Sequence, residues 1–361
     1  MLQEPLPDEY ERLGEEEMFR RIRAAKERLG ENLLILGHHY QRDEIIQFAD
    51  ETGDSFKLAR RAANTPQAKF IVFCGVHFMA ESADILTSPE QIVVLPNMTA
   101  GCSMADMANM PDVEACWQQL SAIGDGDTLP ITYINSAASL KAFTGKSGGT
   151  VCTSSNAAAA LRWGWERAPR MLFFPDEHLG RNTALRMGIR EEEIVVWNRF
   201  KPLGGNPAEA LRRARIVLWN GYCSVHMRFT VQQIERARRE HPGVRVIVHP
   251  ECRREVCDAA DAIGSTERIA RTITESEPGS VWAVGTEINL VHRLARKHPD
   301  KRIFCLNETV CVCSTMYRID PRYLCWVLEN VAEGRIVNQV KVDDQTAKCA
   351  HLALDRMLSL A

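Results

Sequence analysis

Residues 33–62 read LLILGHHYQRDEIIQFADETGDSFKLARRA: a nearly continuous apolar run with His38 and Tyr40 at its polar end, a polar loop, then a serine opening a helix-like stretch. Apolar runs without alternation suit strands buried on both faces, as in parallel sheets covered by crossover helices. The order continues with FIVFCGVHFMAES (70–82), another run with a polar end, and IVVLPNMTAGC (92–102), a run leading to a cysteine. The expected class is α/β.

The same order of four elements returns twice. The second pass is ITYINS (131–136), CTSSNAAAALRW (152–163), MLFFPDEHLGRN (171–182) and IVLWNGYC (216–223). The third is RVIVHPE (245–251), GSTERIARTI (264–273), VWAVGTEINLVHRL (281–294) and IFCLNETVCVC (303–313). From the first polar strand end to the helix-opening serine the steps 38 to 55, 133 to 154 and 249 to 265 are alike. From that serine to the next strand's polar end, the steps 55 to 77, 154 to 177 and 265 to 287 are nearly equal. This regularity implies three pseudo-symmetric αβα units with parallel sheets, at 31–112, 113–228 and 229–316, around a central active site. An amphipathic helix in 1–30, closed by Gly30, precedes them, and a helical segment, 317–361, follows. The alternative is one large doubly wound sheet whose βα units look alike because such units do. Acid-rich QRDE, GDGD and SESEPGS mark exposed loops.

Composition narrows the function. In 361 residues, 45% hydrophobic and 25% charged, 44 basic side chains against 47 acidic ones give a net charge of -3. That balance excludes a disordered chain and a strongly basic nucleic-acid binder. The opening MLQEPLPDEYERLGEEEMFRRI is acidic, and no run approaches the ~20 apolar residues of a membrane span, so the expected location is the cytoplasm. There thiols stay reduced, and the twelve cysteines point to metal or redox chemistry instead of disulfides.

One cysteine follows the last strand of each pass: Cys102, Cys223 and Cys313. Three converging thiolates make a metal site, and soft sulfur donors select iron–sulfur clusters, zinc or copper(I). Cys74 and Cys305 lie in strand runs and Cys116, Cys325 and Cys349 on helix-like stretches, all as core residues; Cys152, Cys252, Cys257 and Cys311 lie near loop ends. Cys311, two residues away, competes with Cys313. At the strand ends stand His38 and Tyr40, Tyr133 and Asn135, and His249 and Glu251, the residue types of proton transfer and carbonyl chemistry. Ser55, Ser154, and Ser265 with Thr266, stand where helix N-caps belong, where unpaired amides attract phosphate or carboxylate. No GxxxxGK[ST] or GxGxxG string occurs, which argues against nucleotide-phosphate and dinucleotide hydride chemistry. GKSGG (145–149) reads as a surface loop.

Together, LGHHYQRDEIIQFAD, GDSFKLARRA, FCGVHFMAESADIL, AGCSMADM, TYINS, CTSSNA, FFPDEHLGRNTA, HPECRREV, GSTERI, VGTEINLVHRL and CVCSTMYRID resemble the quinolinate synthase family, from about residue 33 to 328 in consistent order. The resemblance implies a 4Fe-4S cluster held by Cys102, Cys223 and Cys313, leaving one iron open as a Lewis acid. Cys313 to Met316 fits the family's third cysteine pattern, and Cys311 does not. It also implies condensation of iminoaspartate with dihydroxyacetone phosphate to quinolinate, phosphate and water, with an aspartate oxidase or dehydrogenase supplying iminoaspartate and no nucleic-acid or membrane partner. The implied substrate contacts are His38, Ser55, Tyr133, Asn135, Ser154, His249, Glu251 and Thr266, with Glu251, Tyr40, Tyr133 and His38 moving protons. GKSGG departs from shorter members and is expected to lengthen an exposed loop. A noncatalytic iron–sulfur sensor or a zinc-stabilised binding protein is the reading from another class.

Overall fold

The computed structural model describes residues 3–124, 128–307 and 312–360, which leaves Cys311 and most of the GDGD stretch outside the described residues. The chain forms two compact units, residues 1–102 with 312–343, and residues 103–311 with 344–361.

The first unit holds β1 (Leu33–His38), β2 (Glu51–Gly53), β3 (Phe70–Cys74) and β4 (Ile92–Val94). They pair in the order β4-β3-β1-β2, all parallel, and the two-residue strand Gln339–Val340 joins β4 antiparallel. β1 and β3 are buried along their whole length, as their unbroken apolar runs require. The leading segment is two helices, Asp8–Glu11 and Glu15–Leu29, parted at Gly14; Gly30 caps the second at φ +52°, a conformation that suits glycine.

The second unit carries two sheets. β5 (Thr128–Tyr133), β6 (Thr150–Cys152), β7 (Arg170–Phe174), β8 (Ile194–Trp197) and β9 (Ile216–Trp219) pair as β6-β5-β7-β9-β8. β10 (Arg245–Val248), β11 (Ala262–Ile263), β12 (Val281–Gly285) and β13 (Arg302–Cys305) pair as β11-β10-β12-β13. Every pair in both sheets is parallel. All three sheets thus share one order: the first strand is flanked by the second and third, and the last follows the third. β8 is an addition at the edge, anchored by the buried Trp197 against Trp219, Leu211 and the Val113, Cys116, Leu120 face of the helix Met110–Ile123. The three-sheet α/β class expected from the repeats is what the chain adopts.

In such an order the chain winds outward in both directions from the first strand, so a crevice opens at the carboxyl ends of the first and third strands. His38 ends β1, Tyr133 ends β5, and His249 directly follows β10. The sequence-selected polar residues therefore occupy the one edge of each sheet where the backbone leaves room for a ligand.

GKSGG corrects an expectation. It is an exposed loop only in part: Lys146 and Gly148 are exposed, but Gly145 lies inside the helix Ala138–Lys146, and Gly145 and Gly149 are both buried. Arg356, on the helix Asp344–Ser359, donates from Nη1 to the Gly149 carbonyl at 2.6 Å. A Cβ at Gly145 would sit 2.0 Å from the Cys349 carbonyl oxygen, so the glycine sets how closely the two helices approach. Among the described residues no helix is long and apolar enough to cross a membrane.

Alanine in mid-helix ordinarily stabilises relative to glycine by about 1 kcal/mol. Gly145→Ala is expected to do the opposite and destabilise by about 1–3 kcal/mol, because backbone must move. Urea unfolding of the variant checks the sign; an increase in stability refutes the close approach.

Candidate active site

The ends of β5 and β10 meet at a buried carboxylate. Glu251, only 3% exposed, accepts the Tyr133 hydroxyl at Oε1 (2.6 Å) and faces His226 Nδ1 at Oε2 (2.8 Å). His226 Nε2 lies 3.2 Å from the Thr286 hydroxyl. His249 stacks on His226 with ring centroids 4.4 Å apart and planes at 11°, and its Nδ1 accepts the Glu251 backbone N–H at 3.3 Å. The structure therefore brings together Tyr133, His249 and Glu251, which sequence selected separately, and adds His226, which it did not. His226 was readable in GYCSVH, three residues after Cys223, but nothing in its spacing tied it to Glu251.

Burial opposes the charge on Glu251, yet the two imidazoles and the hydrogen bonds from His226 and Tyr133 outweigh it and hold the carboxyl below its usual range. An ionised Glu251 accepts from both neighbours, so the His226 nitrogen facing it, Nδ1, carries a proton. Burial, reinforced by His226, lowers His249 to about 3, so His249 is uncharged at neutral pH. Asp176, fully buried at the end of β7, caps the helix Glu177–Arg186 through Leu179 N at 2.5 Å, while its Oδ2 has no partner among the described residues. Burial and then the Glu251 charge push its carboxyl well up, toward the neutral acid. Asp176 is a second residue that sequence reading passed over.

In the first unit His38 is buried and Tyr40 packs edge-on against it, 4.8 Å between centroids, with Tyr40 N donating to His38 Nδ1 at 3.1 Å. Two serine assignments need correction. Asp54, not Ser55, caps the helix Ser55–Ala63, accepting from Lys57 N at 2.9 Å. The helix after Ser154 starts only at Ala157, and Asn156 turns its amide oxygen back to Thr153 N at 2.8 Å. Asp and Asn cap at least as well as serine and stand beside it in both strings, which is why the letters misled. Ser265 is the N-cap expected, accepting from Arg268 N at 3.3 Å, with the buried Thr266 as the first helical residue; Ser155 donates to Ser265 Oγ at 3.0 Å. Asn135 is half-buried in the loop after β5.

The three cysteine loops are built alike. Cys102, Cys223 and Cys313 are each half-buried and precede a turn and one 3-10 turn, Ala105–Met107, His226–Arg228 and Met316–Arg318. Each then meets a helix at the same interval, starting at Met110, Val231 and Pro321, whose N-caps Asn109, Thr230 and Asp320 accept from the first turn through their side chains. The carbonyls of Cys223 and Cys313 accept from Met227 N and Tyr317 N. Cys313 occupies the equivalent place in this frame; Cys311 lies outside the described residues.

A chain folded into the same sheet three times, with the same cysteine turn after each, is similar over nearly its whole length to known proteins. The profile described as "Quinolinate synthetase A protein" matches residues 20–359. The chain belongs to that family. A relative named quinolinate synthase from Corynebacterium glutamicum is 56% identical over 359 residues, 99% of this chain and 91% of its own. The relative from Streptomyces coelicolor is 57% identical over 344 residues (94% and 87%), and that from Acidobacterium capsulatum 55% over 357 (98% and 95%), both of the same name.

The donor chemistry fits a thiolate-bound cluster at these loops. Burial pushes the thiols of Cys74, Cys257 and Cys325 up to about 12, and those of Cys116, Cys152 and Cys252 higher still, so all six are protonated and unsuited as ligands. Cys102, Cys223 and Cys313, in the repeated turn, are only half-buried. Cys223, His226 and Glu251 also offer donor atoms within 4.8 Å of one another. Because Glu251 is already engaged by His226 and Tyr133, the sulfur is the member of that group whose softness suits iron–sulfur chemistry.

His249 gives a pH signature. Its pKa is lower folded than unfolded, so the unfolded chain binds the extra proton and acidification favours unfolding. As pH falls from about 6.5, this group alone removes up to about 1.4 kcal/mol of stability per pH unit. Glu251, whose folded pKa is also lowered, adds to the loss only below the ordinary carboxylate range. Comparing urea unfolding of wild type and His249→Gln between pH 7 and 5 is expected to show a shallower slope in the variant; parallel slopes contradict a neutral, buried imidazole.

Proposed function

We propose that this chain is a cytoplasmic quinolinate synthase of NAD biosynthesis, condensing iminoaspartate with dihydroxyacetone phosphate to quinolinate, inorganic phosphate and two waters. Family membership supports the reaction, and the observation that carries it to particular residues is the Tyr133–Glu251–His226 hydrogen-bond chain. An aspartate oxidase or dehydrogenase is the proposed source of iminoaspartate. The three αβα units, 31–112, 113–228 and 229–316, are the proposed domains.

Cys102, Cys223 and Cys313 are the proposed holders of one 4Fe-4S cluster. Bound there with three protein ligands, it supplies a Lewis-acidic iron that eases loss of hydroxide from substrate. Glu251 is the base: an ionised carboxylate, excluded from water, takes a proton from the carbon that forms the new bond. Tyr133, hydrogen-bonded to the same carboxylate, returns a proton to oxygen as the carbonyl and ring-closing steps proceed. His226 is a positioning residue that fixes the Glu251 carboxylate through Nδ1–H. His249, held neutral by burial, adds no positive charge beside the base. His38 and Tyr40 are proposed to add proton donors, and Ser55, Asn135, Ser154 and Thr266 to hold the carboxylates and the phosphate by hydroxyl, amide and helix-terminal N–H groups.

Two measurements test the assignment. Glu251→Gln is expected to keep the cluster's absorbance while quinolinate formation falls about 10²- to 10⁴-fold, the usual share of a general base; undiminished turnover removes Glu251 from that role. After anaerobic purification, Cys313→Ala is expected to lose iron and sulfide while Cys311→Ala retains both, and the reverse result reassigns the third ligand. A colourless protein holding zinc and forming no quinolinate would favour the binding-protein reading.

A further inference from the structure

We infer that a cavity of about 600 Å3 in the second unit is a docking site for a small phosphate-bearing anion; it reaches the proposed substrate contact Ser154 at its base, but its cationic wall is made of residues that the proposed reaction does not use. Its wall is cationic: Arg162 from the helix Ala157–Trp165, Arg186 from Glu177–Arg186, and Arg268 with Arg271 from Thr266–Thr274. Glu267 is the one acidic residue in the lining. At its base lie Ser154 and the hydrogen-bonded pair Ser155 and Ser265.

What sets these arginines apart is that four unspent guanidinium groups face one cavity. Several other exposed arginines of this unit lie against carboxylates, as Arg190 does with Glu193, Arg236 with Glu240 and Arg254 with Asp258. Among the described residues the guanidinium groups of Arg162, Arg186, Arg268 and Arg271 make no ion pair or side-chain hydrogen bond. Four like charges brought around one concavity repel one another, and an anion in their midst relieves that repulsion. The guanidinium fork matches the oxygens of phosphate, which takes several forks at once where a single carboxylate takes one or two. A cavity of this volume suits a small molecule, and its field raises the local concentration of anions.

Two sources share this chemistry. One is the phosphate ester consumed, or the phosphate released, in the reaction proposed above, and to that extent the inference rests on that reading. The other is a separate phosphate compound acting from outside the reaction.

The experiment titrates the holoenzyme at low ionic strength with inorganic phosphate and with dihydroxyacetone phosphate, following heat. It compares wild type, R162Q/R186Q, R268Q/R271Q and the control R239Q, an exposed arginine on the helix Val231–Glu240. Both double variants are expected to bind at least about tenfold more weakly, the loss of charged hydrogen bonds, with R239Q unchanged. Equal affinity in all four proteins, or equal weakening in R239Q, overturns the site. Unchanged circular dichroism separates lost binding from lost folding. Steady-state rates then tell the sources apart: a raised KM for dihydroxyacetone phosphate at constant kcat assigns capture of substrate, whereas weakened phosphate binding at constant KM assigns a separate anion, and either supports the site. Failure of wild type to form quinolinate sinks the proposed reaction without touching the binding result.

Discussion

A carboxylate that is 3% exposed and still ionised must have its oxygens satisfied, and Glu251 meets that demand with groups from distant parts of the chain. Tyr133 comes from the end of β5 and His226 from the cysteine turn after β9, while Glu251 itself follows β10. Hence the two sheets of the second unit cannot slide past each other by a residue without stranding a buried charge. Such an arrangement is a poor source of net stability, because desolvation offsets the attraction. Its effect is to fix register and to keep an ionised carboxylate dry, and through His226 it ties the geometry of that carboxylate to a cysteine loop.

The repeat and the α/β class were legible because they rest on period and run length, which burial on both faces of a parallel sheet dictates locally. The polar residues at the ends of β1, β5 and β10 were legible for the same reason: they interrupt runs that are otherwise apolar. Partnership was not legible. Nothing in the string says that Tyr133 and Glu251, far apart in sequence, share a hydrogen bond, or that His226 stacks on His249. The capping serines failed for a subtler reason, since Asp54 and Asn156 sit next to serines and are competent caps, so only geometry decides which oxygen turns inward. GKSGG failed because glycine marks two opposite situations, an open turn and a place where two backbones nearly touch, and Gly145 is the second.

The cysteine loops carry a signal that strand-based reading left unused. The interval from Cys102, Cys223 and Cys313 to the next helix is constant, and a capping side chain ends it each time, Asn109, Thr230 or Asp320. A constant interval closed by a cap fixes where the cysteine stands relative to a rigid helix, which is how a sulfur on a loop acquires the precision of one on secondary structure. The surroundings support that reading in two ways. Trp219 Nε1 and Arg199 both donate to the Met107 carbonyl, tying the turn after Cys102 to β9 and its neighbours. Gly221 packs so closely on the Pro175 carbonyl that a Cβ would lie 2.2 Å from it, so the approach to Cys223 is set by the end of β7.

Protonation follows from the same placement. Burial raises the thiols of Cys74, Cys116, Cys152 and Cys252 and keeps them neutral, whereas the cysteines of the repeated turn are half-buried at the ends of the sheets. Depth does not separate Glu251 from Asp176; their neighbours do. Both carboxyls are buried, but Glu251 has two donors and stays charged, while Asp176, with one oxygen unpartnered and a negative neighbour, is driven toward its neutral form. Two buried carboxyls shifted in opposite directions in this way differ in whether they hold a proton at neutral pH. That difference arises from the neighbours each carboxyl meets, two imidazoles with hydrogen-bond donors at Glu251 and a negative charge at Asp176, which is why it becomes visible only when the strands have been brought together.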